Sequence, residues 1–349
     1  MLREYEGLYN DDVLAEAIRR FGIDAGGLTL LDGQHSLVYD CRRGEESLIL
    51  KITHTLHRSR ENIMGELEFV NYVVEGGVAA PRAVSSLRGS LVEVLEAKKG
   101  SFLAYAYEKA PGALVDWRHW TPELFEEWGA VVGRMHALTK RYEPSSEAIR
   151  RRYWHEDRDW QLQDHPPGMP SFFLDETRRA KEWLVALPQD IDSFGLIHSD
   201  LHQWNFFVHD GTIRPFDFDN AHYDWFVNDL STVLQNVIPA QARHYERGEY
   251  EHWTGGIEMD GRTFLTYFMD SFMAGYREEN TLAAHWLKKL PEFLHIRYLT
   301  MYWDKCRAGE AKKLSEQEQA SAYPWRTVRQ IYDELVDGFW RRYDFTQYT

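Results

Sequence analysis

Apolar residues return with helical spacing near the start of the chain. Leu14, Ala17, Ile18 and Phe21 share one face of a segment that Asn10 is suited to cap and Gly22 to stop, which predicts an amphipathic helix. Residues 28–41 and 47–52 are strand-like and are joined by the turn Arg42-Arg43-Gly44-Glu45. A second helix is predicted from about Arg60 to Glu75, with Ile63, Leu67, Val70 and Val74 as its apolar stripe. Residues 90–95 and 102–107 read as a hairpin around Ala97-Lys98-Lys99-Gly100. Pro111 and Gly112 then mark a link between two parts of the chain.

Thr121 and Pro122 open a helix that runs to about Tyr142, as cap and first-turn proline. His136 lies inside it and reads as a packed structural histidine. Residues 143–170 are polar and irregular, a long loop or short helices in which no metal-ligand spacing repeats. A helix from Asp175 to Leu187 follows. Gly195-Leu196-Ile197 is a short apolar strand, and Phe206–Val208 and Ile213–Phe218 are two more, joined by the hairpin signal Asp210-Gly211. Asp229 opens another helix as a capping or structural residue. The remainder is helical and aromatic-rich, a pattern more often core than binding box. Trp225, Asp270, Tyr302, Trp303 and Asp304 are the places in it where an acceptor pocket would be sought.

Composition narrows the function classes. The 349 residues exceed the size at which single cores usually split. With 40 basic against 55 acidic residues the net charge is −15, which argues against nucleic acid or an anionic membrane as partner. It is compatible with a cationic small substrate, although a solvated acidic surface explains it more simply. The cysteines Cys41 and Cys306 lie far apart and offer neither a disulfide framework nor a metal spacing, so a reducing cytoplasm is the simplest compartment. The amino terminus carries no signal-like apolar region, and no apolar run reaches the length of a membrane span.

Candidate chemistry concentrates in His198-Ser199-Asp200-Leu201-His202-Gln203-Trp204-Asn205, followed twelve residues after Asn205 by Asp217-Phe218-Asp219. Phosphoryl-transfer sites place an Asp, an Asn five residues later and a further Asp in a short turn. Such a reaction needs an acceptor oxygen aligned on phosphorus and neutralisation of the developing charge. Asp200 fits the first need. Magnesium prefers hard oxygen ligands and keeps several waters, so the Asp217 carboxylate and the Asn205 amide oxygen fit the second. The hairpin between them would set the two loops side by side at one end of a small sheet.

These residues resemble the aminoglycoside phosphotransferase and choline kinase superfamily. Lys51 in Ser47-Leu48-Ile49-Leu50-Lys51-Ile52 is similar to the family's lysine strand. Gly65–Tyr72 with Gly77–Pro81 resembles the helix bearing the lysine's glutamate partner, and Gly133–Leu138 the helix opening the larger lobe. Phe272–Arg277 and Leu290–Arg297 resemble its last helices. The resemblance implies an α+β, protein-kinase-like two-lobed fold, with a small antiparallel-sheet lobe of five strands and a mostly helical second lobe. Residues 1–108 would bind nucleotide and residues 109–349 would carry catalysis and the acceptor. It implies ATP and Mg2+ as cofactors and a small-molecule acceptor. Lys51 would contact ATP phosphates, held by Glu66. Glu66 and Glu68 are about 200° apart on a helix, so only one faces Lys51, and the family match favours Glu66. Residues 32–36 occupy the place of the nucleotide loop, and an ordinary turn explains them as well. Asp219 either assists the metal or hydrogen-bonds the loop.

Departures refine the expectation. Ser199 and Asp219 stand where protein kinases carry Arg and Gly, no Ala-Pro-Glu segment follows, and no G-x-G-x-x-G loop precedes Lys51. A small-molecule kinase is therefore expected. A serine/threonine protein kinase of the same superfamily and a non-catalytic, spore-coat-like relative are the alternatives. Gln203-Trp204 replaces the small residues usual before the Asn, and a bulky Trp there would narrow the acceptor site.

Overall fold

The computed structural model describes residues 7–24, 26–31, 33, 36–115, 120–157, 160–161, 171–246, 261–307 and 343–348. Contacts divide the chain into two compact units that interleave in sequence. One comprises Met1–Ala113, Tyr142–Arg151 and Phe207–Asp219, and the other comprises Leu114–Arg141, Arg152–Phe206 and Asn220–Thr349.

The first unit is an antiparallel sheet with two helices. Its strands are β1 (Thr29–Leu31), β2 (Leu37–Arg43), β3 (Glu46–His54), β4 (Ala83–Val84), β5 (Glu93–Glu96) and β6 (Ser101–Glu108), in the order β1-β2-β3-β6-β4 with β5 also paired to β6. The sheet has six strands rather than five, because Ala83 and Val84 pair with Tyr107 and Ala106 over a stretch too short for an alternating pattern. Helix α1 (Asp11–Phe21) starts where the Asn10 side chain accepts from the Val13 amide and stops at Gly22, with φ of 68°. Its Val13, Ala17 and Phe21 pack on Leu48, Leu50 and Ile52. That alternation leaves Lys51 on the opposite face, in register with Val38 and Tyr105. Helix α2 (Arg60–Glu75), capped by Ser59, buries Ile63, Glu66, Leu67, Phe69, Val70 and Val73.

The second unit is mostly helical. Its elements are α3 (Pro122–Thr139), α4 (Ser171–Val185), α5 (Phe226–Glu246), α6 (Gly261–Glu279), α7 (Ala284–Leu287) and α8 (Leu290–Arg307). Between α4 and α5 run the two strands of an antiparallel ladder, β7 (Phe194–Ile197) and β10 (His222–Trp225). The ladder is tied to α3 where the Leu196 amide donates to Thr139 Oγ1 at 2.8 Å. Trp154, Phe194, Trp225 and Phe293 form a linked aromatic core. The hairpin of β8 (Phe206–His209) and β9 (Thr212–Pro215), which from Phe207 on belongs to the first unit, turns at Asp210 and Gly211, with φ of 49° and 77°, as a two-residue Asp-Gly turn requires. Among the described residues no helix is long and apolar enough to cross a membrane.

Candidate active site

Within the sheet unit, Lys51 projects from the middle of β3. Its Nζ donates to Asp217 Oδ1 at 2.7 Å and lies 5.9 Å from the centre of the Tyr107 ring. Burial disfavours the ammonium, but the charges of Asp217 and its neighbours outweigh it and raise its pKa. Asp217 has φ of 66°, a left-handed conformation that non-glycine residues hold only where the surroundings enforce it.

Glu66 is fully buried on α2. Its Oε2 accepts from Arg58 Nη2 at 2.5 Å and its Oε1 from the Tyr107 hydroxyl at 2.5 Å. The expected Lys51–Glu66 contact is therefore not the one these side chains make: Lys51 takes Asp217, and Arg58 takes Glu66. The Glu66 charge still acts on Lys51 as one of the influences that raise its pKa. Burial opposes the Glu66 carboxylate, yet Arg58, Lys51 and Arg151 hold its pKa below the ordinary value. Glu68 is committed elsewhere, accepting from the Tyr142 hydroxyl at 3.1 Å and the Ser145 amide at 2.8 Å.

Asp219 is the second carboxylate of the turn. Burial, then the nearby charges of Asp217 and Glu66, push its pKa up to about 6, against the pull of Lys51 and Arg58. Its backbone oxygen accepts from Arg151, whose other nitrogen donates to the Asn62 carbonyl at 2.8 Å. Arg58 and Arg151 escaped the sequence reading because nothing local marks them: their partners come from elements distant in sequence. Of the supposed nucleotide loop, Asp32, Gln34 and His35 lie outside the described residues.

Within the helical unit, β7 ends at Ile197 and delivers the motif loop. The Asp200 amide donates to His198 Nδ1 at 3.3 Å. Asn205 Nδ2 donates to the Asp200 carbonyl at 2.8 Å and to its Oδ2 at 3.2 Å, and Asn220 Nδ2 reaches the same Oδ2 at 3.2 Å. The offset of five residues thus closes a loop in which the Asn205 amide nitrogen is used on Asp200. His202 Nε2 lies 3.6 Å from Asp200 Oδ1, and burial lowers the His202 pKa in spite of that carboxylate. Asn220 and His202 were not singled out from sequence, although both lie within or beside the motif.

Asp229 anchors this loop. Its Oδ1 accepts from the Ser199 amide at 2.6 Å and its Oδ2 from the His198 amide at 3.1 Å. Burial opposes the Asp229 carboxylate, but the hydrogen bond with His136, together with His198 and the Ser199 amide, holds its pKa below the ordinary value. Its structural role is thus to hold the loop rather than only to start α5. Trp204 is 59% exposed beside it, while Gln203 is buried with Oε1 lacking a hydrogen bond. The acceptor-pocket positions resolve differently. Trp225 and Trp303 are core residues whose indole nitrogens donate to the Pro188 carbonyl and to Thr177 Oγ1. Asp270 is exposed, and the side chains of Tyr302 and Asp304 lie outside those described.

An antiparallel sheet whose lysine meets an aspartate, joined in sequence to an Asp–Asn loop on a helical unit, is the arrangement of kinase-like phosphotransferases. Residues 27–265 match the phosphotransferase enzyme family, and the chain belongs to it. The amicoumacin kinase of Bacillus subtilis (strain 168) is 36% identical over 313 residues, covering 89% of this chain and 89% of that protein. The solved structure of amicoumacin kinase hAmiN in complex with AMP-PNP, Ca2+ and Ami covers 100% of both chains, with 32% identity and a TM-score of 0.85. A microcompartment-associated aminopropanol kinase shares the fold, with a TM-score of 0.62 and 21% identity over 83% of this chain and 87% of that one. The chain is a small-molecule phosphotransferase of the α+β, kinase-like fold.

Proposed function

We propose that the protein transfers the terminal phosphoryl group of ATP to a hydroxyl of amicoumacin or a compound of its class. Likeness to amicoumacin kinases over 89% of the chain in sequence and 100% in structure supports the acceptor. The AMP-PNP and Ca2+ in the structure of that relative support a nucleotide and a divalent cation as cofactors. A reaction drawing on ATP fits the cytoplasm.

The observation that carries the reading is the closed loop around Asp200, whose carboxylate is fixed by Asn205 and Asn220. Asp200 orients the acceptor hydroxyl and takes its proton late in the transfer. Each unit offers donors of the hard-oxygen kind magnesium takes: the Asp217 carboxylate, held by Lys51, in the sheet unit and the Asn205 amide oxygen in the helical unit, while among the described residues no cluster of three His, Cys, Asp or Glu side chains offers a closed metal cage. That sparse set suits an ion that also takes water and substrate phosphate as ligands. Bound magnesium supplies neutralisation of the charge spread over the phosphate oxygens. Lys51 contacts the phosphates, and Glu66 with Arg58 keeps α2 fixed behind it. Trp204 offers an exposed aromatic face to the acceptor. The test is ADP release stimulated by amicoumacin, with choline, aminopropanol and aminoglycosides as comparison acceptors. Stimulation by amicoumacin at the lowest concentration is expected, and stimulation by another acceptor alone would replace the assignment.

A further inference from the structure

Helices α3 and α6 are knit together by glycine. Gly129 and Gly133 of α3 and Gly275 of α6 each face backbone of the other helix, and a Cβ added at Gly133 would lie 2.6 Å from the Tyr276 carbonyl oxygen. That approach brings buried His136 onto Tyr276, with Nδ1 3.0 Å from the hydroxyl. Asn280 Nδ2 donates to the same hydroxyl at 2.8 Å. On its other side His136 stacks on Phe226, the rings 4.4 Å apart, and its Nε2 is 3.1 Å from Asp229 Oδ2.

These donors fix one another's direction. The Asn280 amide nitrogen only donates, so the Tyr276 oxygen accepts there and its own hydrogen goes to His136 Nδ1. Burial raises the Tyr276 pKa despite the Asn280 bond, which keeps the phenol protonated. An imidazole that accepts at Nδ1 carries its hydrogen on Nε2, where it is donated to Asp229. Asp229 in turn holds the amides of His198 and Ser199. Ser199 has φ of 67°, so the backbone that presents Asp200 is strained and depends on that grip.

We propose that Tyr276 and His136 are positioning residues for the transfer reaction. Tyr276 fixes the His136 tautomer, His136 orients the Asp229 carboxylate, and Asp229 holds the backbone from which Asp200 projects. The proposal rests on the assignment of Asp200 as the acceptor-facing carboxylate.

The test uses the full-length enzyme. Nitrogen-15 NMR of the wild type is expected to give His136 as the Nε2–H tautomer, with the Nδ1–H form emerging in Tyr276→Phe. The kcat of Tyr276→Phe falls about 5- to 30-fold, the effect of one or two lost buried hydrogen bonds, while KM for ATP is unchanged. His136→Gln, whose amide extends toward the Nε2 position, keeps more kcat than His136→Asn. Val132→Ala removes only packing from buried α3, so it lowers Tm and leaves the kcat of folded enzyme intact. An Nδ1–H His136 in the wild type, wild-type kcat in Tyr276→Phe, or Asn equal to Gln at position 136 overturns the proposal. Asp200→Asn separates the two readings. Turnover in that variant removes the Asp200 assignment whatever Tyr276→Phe does, whereas a dead Asp200→Asn beside an unimpaired Tyr276→Phe removes this proposal alone.

Discussion

Glu66→Ala tests whether the sheet unit depends on a buried ion pair. The side chains of Arg58 and Glu66 are 9% and 0% exposed, and their 2.5 Å contact is accompanied by the Tyr107 hydroxyl at 2.5 Å. At that depth the relevant cost is not the small one of a surface pair but that of leaving an uncompensated buried charge, about 3–5 kcal/mol. For a unit of this size each kcal/mol moves Tm by roughly 2–4 °C, so Glu66→Ala should melt about 6–20 °C lower. The loss should depend on pH. Glu66 ionises below its ordinary value near 4.5, so its contribution is present above that pH and disappears as pH falls through the folded-state value. The gap between wild type and variant is therefore full at neutral pH and closes in acid. Urea unfolding followed by fluorescence at several pH values measures it. Arg58→Met combined with Glu66→Met replaces the pair by apolar side chains of similar size, and the double variant should recover most of the loss, giving a coupling above about 2 kcal/mol. A loss under about 1 kcal/mol for Glu66→Ala, or additive single and double variants, would mean that the sheet unit does not depend on this pair.

Other expectations follow from single contacts. Lys51→Met removes the cation that meets Asp217 at 2.7 Å and should lower kcat/KM for ATP by about 10- to 100-fold, as for a lost charge-assisted hydrogen bond, in steady-state kinetics. Gly133→Ala pushes a methyl group to 2.6 Å from the Tyr276 carbonyl oxygen and should cost about 1–3 kcal/mol in denaturant unfolding, with a fall in kcat because Tyr276 moves. Trp204→Ala, at a side chain 59% exposed, should leave stability within about 0.5 kcal/mol. Its KM for the acceptor should rise about 2- to 10-fold, the worth of one aromatic contact, with KM for ATP unchanged.

How legible each part was depended on the range of the interaction that fixes it. The Asp200–Asn205 pairing is local, so its spacing alone announced a loop, and that loop closes with the hydrogen bonds described. The strands that carry Lys51 and the hairpin at Asp210-Gly211 were legible because period two and turn chemistry are written residue by residue. Helical geometry separated Glu66 from Glu68, and their side chains do face different partners. What the sequence hid is who meets whom across long separations. Arg58 sits in a polar stretch that looks like ordinary surface, yet it is buried against Glu66 and takes the place expected of Lys51. Arg151 reaches the Asp219 backbone, 68 residues away, from a segment that read as loop. His136 was legible as a packed histidine, but its partners Tyr276 and Asp229 lie 140 and 93 residues from it in sequence. Strand β4, two residues long, was too short for any periodic signal.

In the proposed reaction the ATP terminal phosphoryl group passes to a small-molecule hydroxyl aligned by Asp200. The measurement that meets it most directly is a single-turnover reaction with ATP labelled in the terminal phosphate, magnesium and amicoumacin, comparing wild type with Asp200→Asn. Label on amicoumacin is expected with the wild type, and retained ATP binding without transfer in Asp200→Asn. Label that stays on ATP with the wild type, or transfer at the wild-type rate in Asp200→Asn, would contradict the proposed reaction.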